Sequence, residues 1–203
     1  MKYMKDVVAR FSGRNVFSLR DCRVFLKQKK ISEGYLHFLI HYLLKKGALK
    51  RITRGHYTFS DDPMVIGFAF APHYYGLQEA LSLHGLWDQG TNPVVVTPRW
   101  VRTGVRQALG ANYLVRHVNP RMFFGYGLVQ RHGKWIPVST PEKTLIDFAY
   151  FNEKIPADAL EAIKGRLDKK ALDGLLKKTP ARTQKKVRAL LGARPSRPLP
   201  WFG

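Results

Sequence analysis

The segment LLKKGALKRITRGHYTF, residues 43–59, constrains the fold more than any other stretch. Leu43 and Leu44 close an amphipathic run that Gly47 can end in a left-handed turn. A short basic strand follows. Thr53, Arg54 and Gly55 then form a turn into a second strand. Leu49 and Ile52 lie on one side of that turn, and Tyr57 and Phe59 on the other. Lys50, Arg51, Arg54 and His56 are interspersed among them.

The residues upstream read as helices. Tyr3, Met4, Val7, Val8 and Phe11 recur at helical spacing and predict a helix over 2–12, stopped by Gly13. Ser18 offers an N-cap to a second helix, with Asp21 near the positive end of its dipole. Cys22, Phe25 and Leu26 are its apolar face. Ser32 caps a third helix to about Lys46, whose apolar stripe is Leu36, Leu39, Ile40 and Leu43. Three helices followed by a basic hairpin are the order of a winged helix-turn-helix, a DNA-binding module. Asp61, Asp62 and Pro63 mark a junction, so this unit is assigned to residues 1–62.

The remainder predicts a larger mixed α/β domain over 63–192, making the chain α+β as a whole. An apolar run, Val65 to Phe70, is broken by Pro72. Leu77 to Trp87 reads as a helix with Leu77, Ala80, Leu81 and His84 on one face. Val94 to Val96, Tyr113 to Val118, Met122 to Phe124, Leu128 to Arg131 and Trp135 to Val138 are strand candidates. Gly125, Gly127 and Gly133 punctuate them, which predicts a mostly antiparallel sheet within about 64–139. Thr140 and Pro141 open a helix in a favourable way, with Glu142 facing its dipole. Pro156 to Leu167, Asp168 to Lys177 and Thr179 to Leu191 complete the C-terminal helices, 140–192. Residues 193–203, ARPSRPLPWFG, predict a flexible tail.

Charge narrows the partner. Lys and Arg number 35 against 14 acids, a formal net charge of +21, while hydrophobic content of 45% excludes wholesale disorder. Residues 1–62 carry net +9, 63–151 net +4 and 152–203 net +8. A polyanion is the expected partner, nucleic acid before an acidic membrane or an acidic protein. Cys22 is the only cysteine, so neither an internal disulfide nor a cysteine-based zinc site can form within one chain. Charges interrupt the start, MKYMKDVVARF, as they would not in a secretory signal. No apolar run approaches the ~20 residues of a membrane span. The expectation is a cytoplasmic protein with no membrane partner.

A winged helix places its third helix in the major groove and its hairpin on backbone or minor groove. Ser32, Glu33 and Tyr35 then sit where side chains reach base edges. His37, Phe38, His41 and Lys45 lie opposite or beside the apolar stripe, and Lys45 suits a phosphate. Lys50, Arg51, Arg54 and His56 are the expected wing contacts, Arg54 suiting a narrow minor groove. The bland alternative packs Phe38 and Tyr42 against the second domain and leaves His37 and His41 merely solvated. That histidine pair lacks a third ligand nearby, so no metal is expected.

No catalytic motif emerges. GxxxxGK[ST], GxSxG, HExxH and CxxC are all absent. Glu142 and Asp147, five apart on one predicted helix, do not share a face. The expectation is a protein that is not an enzyme and needs no cofactor.

Four motifs occur in an order that resembles the AbiEi family of antitoxins from prokaryotic type IV toxin–antitoxin systems. They are LLKKGALKRITRGHY, GLQEALSLHGLWDQ, PVVVTP and VSTPEKTLIDFAY, and the resemblance covers roughly residues 3–165. Arg51, Arg54, Gly55 and Tyr57 match the family's basic wing. Leu81, His84, Gly85 and Leu86 match its SAL-x-x-HGL-like helix. Thr140, Pro141, Glu142, Lys143, Thr144 and Asp147 match its TPE-[KR]-T-x-x-D helix. The resemblance implies a winged helix that binds the operator of its own operon and a C-terminal domain needed for antitoxin activity. It implies a neighbouring nucleotidyltransferase-like toxin whose effect is opposed without a stable complex. The very basic stretch Lys177 to Arg197 departs from a generic member.

The leading expectation is therefore a DNA-binding transcriptional regulator, a repressor of its own toxin–antitoxin operon. It would act on double-stranded DNA as a monomer or a dimer on inverted repeats. The alternatives are a protein-contact antitoxin that binds its toxin directly and a basic RNA-binding protein.

Overall fold

The structure is a computed structural model that describes residues 3–192, so the expected tail at 193–203 lies outside the described residues. The chain is a mixed α+β protein. Helix α1, Met4–Phe11, is followed by the two-residue strand β1, Phe17–Ser18. Helices α2, Leu19–Lys27, and α3, Glu33–Lys45, come next. Strands β2, Lys50–Thr53, and β3, His56–Thr58, form the hairpin. Together β1, β3 and β2 make a three-stranded antiparallel sheet in that order.

The expected caps are present. Ser18 accepts from the Asp21 amide and donates its own amide to the Asp21 carboxylate, a reciprocal pair that satisfies two otherwise orphaned groups. Ser32 accepts from the Tyr35 amide. Gly47, at φ +70°, ends α3 as its sequence position predicts. Leu36, Leu39, Ile40 and Leu43 are all buried, packed with Val7, Phe11, Phe17, Cys22 and Leu26.

A six-stranded sheet organises the rest. Its strands are β4 (Tyr74–Tyr75), β5 (Val94–Thr97), β6 (Gly104–Ala108), β7 (Ala111–His117), β8 (Tyr126–Arg131) and β9 (Lys134–Ser139), in the order β6-β7-β5-β4-β9-β8. Three of its five pairings are antiparallel, in keeping with the expected mostly antiparallel pattern, while β4–β9 and β5–β7 pair parallel, so the sheet is mixed. The apolar run Val65 to Phe70 lies in a 3-10 helix, Pro63–Phe70, started by Asp62 accepting from the Met64 amide, so the sheet begins at Tyr74 and not near residue 64. The expected strand at Met122 to Phe124 is replaced by a 3-10 turn, Pro120–Met122, capped by Asn119. Helix α4, Leu77–Leu83, stops four residues short of Trp87. Strands β1, β4 and β6 were not expected.

Side-chain alternation splits the core. Tyr75, Val95, Val115 and Val138 occupy one face in register, under the 3-10 helix. Tyr74, Val94 and Val96 face the other way, against a helical layer. That layer is α4 with α5 (Pro141–Phe151), α6 (Ala157–Arg166), α7 (Lys169–Leu176) and α8 (Ala181–Gly192). The expected C-terminal helices are thus present to within a residue or two.

Helix α5 buries eight consecutive residues, Glu142 to Ala149. Thr140 caps it and accepts from the Lys143 amide. Lys143 and Asp147, one turn apart and both fully buried, form an ion pair, and Tyr74 donates to Asp147 at 2.8 Å. The ammonium lies 5.0 Å from the Phe124 ring centre and 5.5 Å from that of Tyr74. Burial raises the Asp147 pKa, against the opposing pull of Lys143 and Tyr74. Glu142, expected only to complement the helix dipole, also accepts from the Asp168 amide at 3.0 Å and so ties α5 to the start of α7.

Removing one partner of a buried pair strands the other charge. Lys143→Met is expected to lower the unfolding free energy by ~3–5 kcal/mol in urea titrations, and Lys143→Met/Asp147→Leu to recover more than half of that. Equal losses in the single and double variants would contradict the pairing. His73 is 4% exposed between Phe68 and Tyr75, and burial lowers its pKa from 6.5 to about 4. The unfolded chain takes up this proton near pH 6.5 and the folded one only near 4. Its contribution to stability is therefore full above about pH 6.5 and is lost as pH falls towards 4, about 3 kcal/mol in all. Proton NMR of the folded protein should show His73 titrating near 4; a midpoint near 6.5 would refute its burial.

Candidate nucleic-acid interface

Strand alternation decides what the hairpin offers. Ile52, Tyr57 and Thr58 are buried, while Arg51 and Arg54 are exposed. Ile52 packs into the core beneath the six-stranded sheet, with Tyr113 and Ala108. The Tyr113 hydroxyl donates to the Ile52 carbonyl at 3.2 Å, and Arg106 donates to the Thr53 hydroxyl at 3.4 Å. Lys134 bonds Asp62 at 2.9 Å. Tyr57, the register partner of Arg51, is buried on the other face among the first three helices, so both faces of the hairpin are packed, and Arg51 and Arg54 reach solvent at its edge strand and tip.

The tip is a two-residue turn, Arg54 and Gly55, between the paired Thr53 and His56. Gly55 sits at φ +76°, a conformation that disfavours any side chain. Its carbonyl accepts from the Leu19 amide at 2.8 Å, which fastens the tip to the first turn of α2. The His56 ring donates to the Arg54 carbonyl at 3.3 Å.

The expected contact residues divide into groups. Ser32, Glu33, His37, Phe38, His41 and Lys45 are exposed on α3 or at its cap. Phe38 is 55% exposed, so it is not packed against the second part of the chain as the bland alternative supposed. Tyr35 is half-buried, with its ring edge-on to Tyr3. Glu33 is paired with Arg23 at 2.6 Å and lies 3.9 Å from His37. Lys50 is engaged by Asp61, which leaves Arg51 and Arg54 as the cations of the hairpin without an ion pair among the described residues. No group of three potential metal ligands occurs among the described residues.

Sequence reasoning missed a neighbouring basic hollow. Arg10, Arg14, Arg20 and Asp21 line about 240 Å³ of space between α1 and α2. Burial pushes the Asp21 carboxyl up, but the Ser18 hydrogen bonds and nearby Arg14 and His56 outweigh it and hold the pKa below the usual value. The signal was weak in the sequence, because three arginines spread over eleven positions converge only once α1 and α2 pack.

The arrangement is an anchored hairpin with exposed arginines beside a helix with one buried and one exposed face. It belongs to a two-part α+β architecture. No family model matches this chain, and no curated protein does. Among solved structures the chain is similar to the crystal structure of the RV2827C protein from Mycobacterium tuberculosis. The TM-score is 0.60 at 16% identity, over 92% of this chain and 74% of that one. At that identity the likeness speaks to the fold alone.

Ser18 supports both α2 and the hairpin tip it touches. Ser18→Ala is expected to lower the unfolding free energy by ~1 kcal/mol in chemical denaturation, with the Asp21 pKa rising towards its ordinary value. No change in either would show that the cap does not hold α2.

Proposed function

We propose that the first part of the chain is a winged helix that binds double-stranded DNA. The single observation carrying this reading is the hairpin, which is packed through Ile52 and Tyr57 while Arg51 and Arg54 are exposed at its edge strand and tip. The exposed face of α3, with His37, Phe38, His41 and Lys45, supports it. A groove-inserted helix needs such a face, and a wing needs cations aimed at phosphate or minor groove. The net charge of +21 agrees with a polyanion partner.

On the motif resemblance, we propose further that the chain is an AbiEi-like antitoxin of a type IV system. It would repress its own operon through this winged helix, as a monomer or a dimer on inverted repeats. Its larger part would oppose a nucleotidyltransferase-like toxin without a stable complex. On this reading it is a regulator rather than an enzyme and works in the cytoplasm. Among the described residues no helix is long and apolar enough to cross a membrane.

A second reading has one observation in its favour. Leu128 and Trp135, on the adjacent strands β8 and β9, are 66% and 58% exposed. An uncovered apolar pair of this kind suits protein contact, and so a directly bound toxin. Co-elution of co-expressed toxin in size exclusion, abolished in Leu128→Asp, would favour that reading.

Duplex DNA from the region upstream of the gene should bind at least ~10³-fold more tightly than random duplex at ~150 mM salt. Arg51→Ala and Arg54→Ala should each weaken binding, and each phosphate left without its arginine should reduce the salt slope by about 0.9. Unchanged affinity in both single variants and their combination would remove the wing from the interface.

A further inference from the structure

Trp100 is 91% exposed, more than any other large apolar side chain among the described residues. Its ring lies flat on His117, with centroids 4.4 Å apart and planes 21° from parallel. That leaves one indole face supported from below and the other open to solvent. An aromatic platform of this kind is what an unpaired base stacks on.

Its surroundings are cationic. Thr97 and His117 are register partners at the ends of the parallel strands β5 and β7. Trp100 follows in the segment PRWVR, between the exposed Arg99 and Arg102. Beyond His117 the chain turns over the rim of the sheet into Asn119 and Arg121. These two line an open cleft of about 390 Å³ with Tyr150, Lys177 and Lys178. Arg121, Lys177 and Lys178 have no ion-pair partner among the described residues. Glu153, an acid near this rim, is engaged by Arg116. Three residues lie between His117 and Arg121, a span of at most ~14 Å between their Cα atoms. The platform and the cleft flank the rim that the chain itself crosses between His117 and Arg121, so a strand that reaches both crosses it as well.

We propose that this rim binds a single-stranded polynucleotide. One unpaired base stacks on Trp100, and the neighbouring phosphodiesters lie at Arg99, Arg102 and the Arg121–Lys177–Lys178 cleft. A duplex buries its base faces in its own stack, so the platform selects for an unpaired strand. Beside Trp100 in the chain stand Arg99, Val101 and Arg102, with His117 beneath its ring, so the exposed indole face is bordered by cations. RNA and DNA strands share the recognised chemistry. The site is distinct from the hairpin and does not rest on the duplex reading.

The test uses the full chain with three probes: an eight-nucleotide oligouridylate, the oligothymidylate of equal length, and uridine monophosphate. Binding is read by tryptophan quenching and by anisotropy of labelled oligomer. At least one oligomer should bind and quench, and comparing the two identifies the preferred sugar. Trp100→Ala should weaken binding at least ~5-fold, while Trp100→Phe keeps most of it. Arg121→Glu with Lys177→Glu should weaken it further and flatten the salt dependence by about 0.7 for each phosphate no longer neutralised. Trp100→Ala should leave duplex binding unchanged, and Arg54→Ala should leave oligomer binding unchanged, so the two readings fail separately. The proposal is overturned if wild type binds neither oligomer, if Trp100→Ala binds as tightly as wild type, or if the mononucleotide binds as tightly as the octamer.

Discussion

Ile52 is the residue on which the geometry of the candidate interface depends. It belongs to the hairpin by chain position and to the core under the six-stranded sheet by packing. Side chains along a strand alternate, so burying Ile52 forces Arg51 to the opposite face. A slip of one residue would bury the guanidinium and expose the isoleucine. The Tyr113 hydroxyl on the Ile52 carbonyl, and the irregularity in pairing between Arg51 and Thr53, hold the strand in that register. Arg51 is therefore turned outward by apolar burial, which salt does not screen, and not by the charges themselves.

The use of acids explains how so large a charge surplus survives folding. Asp6, Glu33, Asp61, Asp62, Asp147, Glu153 and Glu161 each pair with a lysine or arginine. Asp21 and Asp168 are spent on helix caps, and Glu142 and Glu79 on hydrogen bonds. With 14 acids against 35 bases, little negative charge remains to neutralise the outer surface. Paired surface charges contribute modestly to stability. The unpaired ones repel each other, and a polyanion relieves that repulsion.

What could be read from the sequence followed from local physics. Ser18 with Asp21, Ser32, and Thr140 with Pro141 announce helix starts because capping needs only neighbours in sequence. The alternation that exposes Arg51 and Arg54 is equally local. The apolar run PMVIGFAF was ambiguous, since a short uniformly apolar stretch carries no period to separate strand from helix. Strands β1 and β4 have two residues each, too few for any pattern. In β6 the periodicity misleads, because Val105 points outward at 72% exposure. The parallel pairings depend on which strands meet after a crossover. So does the engagement of Lys50 by Asp61, eleven residues on, and the convergence of Arg10, Arg14 and Arg20.

The buried charge pair in α5 bears on the cleft at the far end of the same helix. Desolvating an ammonium and a carboxylate makes such a pair a poor source of net stability. Its geometry is demanding instead: Asp147 takes Lys143 from the preceding turn and Tyr74 from β4 at the same time. Sliding α5 by one turn, ~5.4 Å, would carry the Lys143–Asp147 pair as a unit away from Tyr74. An apolar interface at this point would tolerate such a slide better, since one leucine contact can replace another. Tyr150 lies three residues beyond Asp147 and lines the Arg121–Lys177–Lys178 cleft, while α7 and α8, which carry the chain through Lys177 and Lys178, pack on α5. The register fixed inside the core thus determines where the cations stand at the rim.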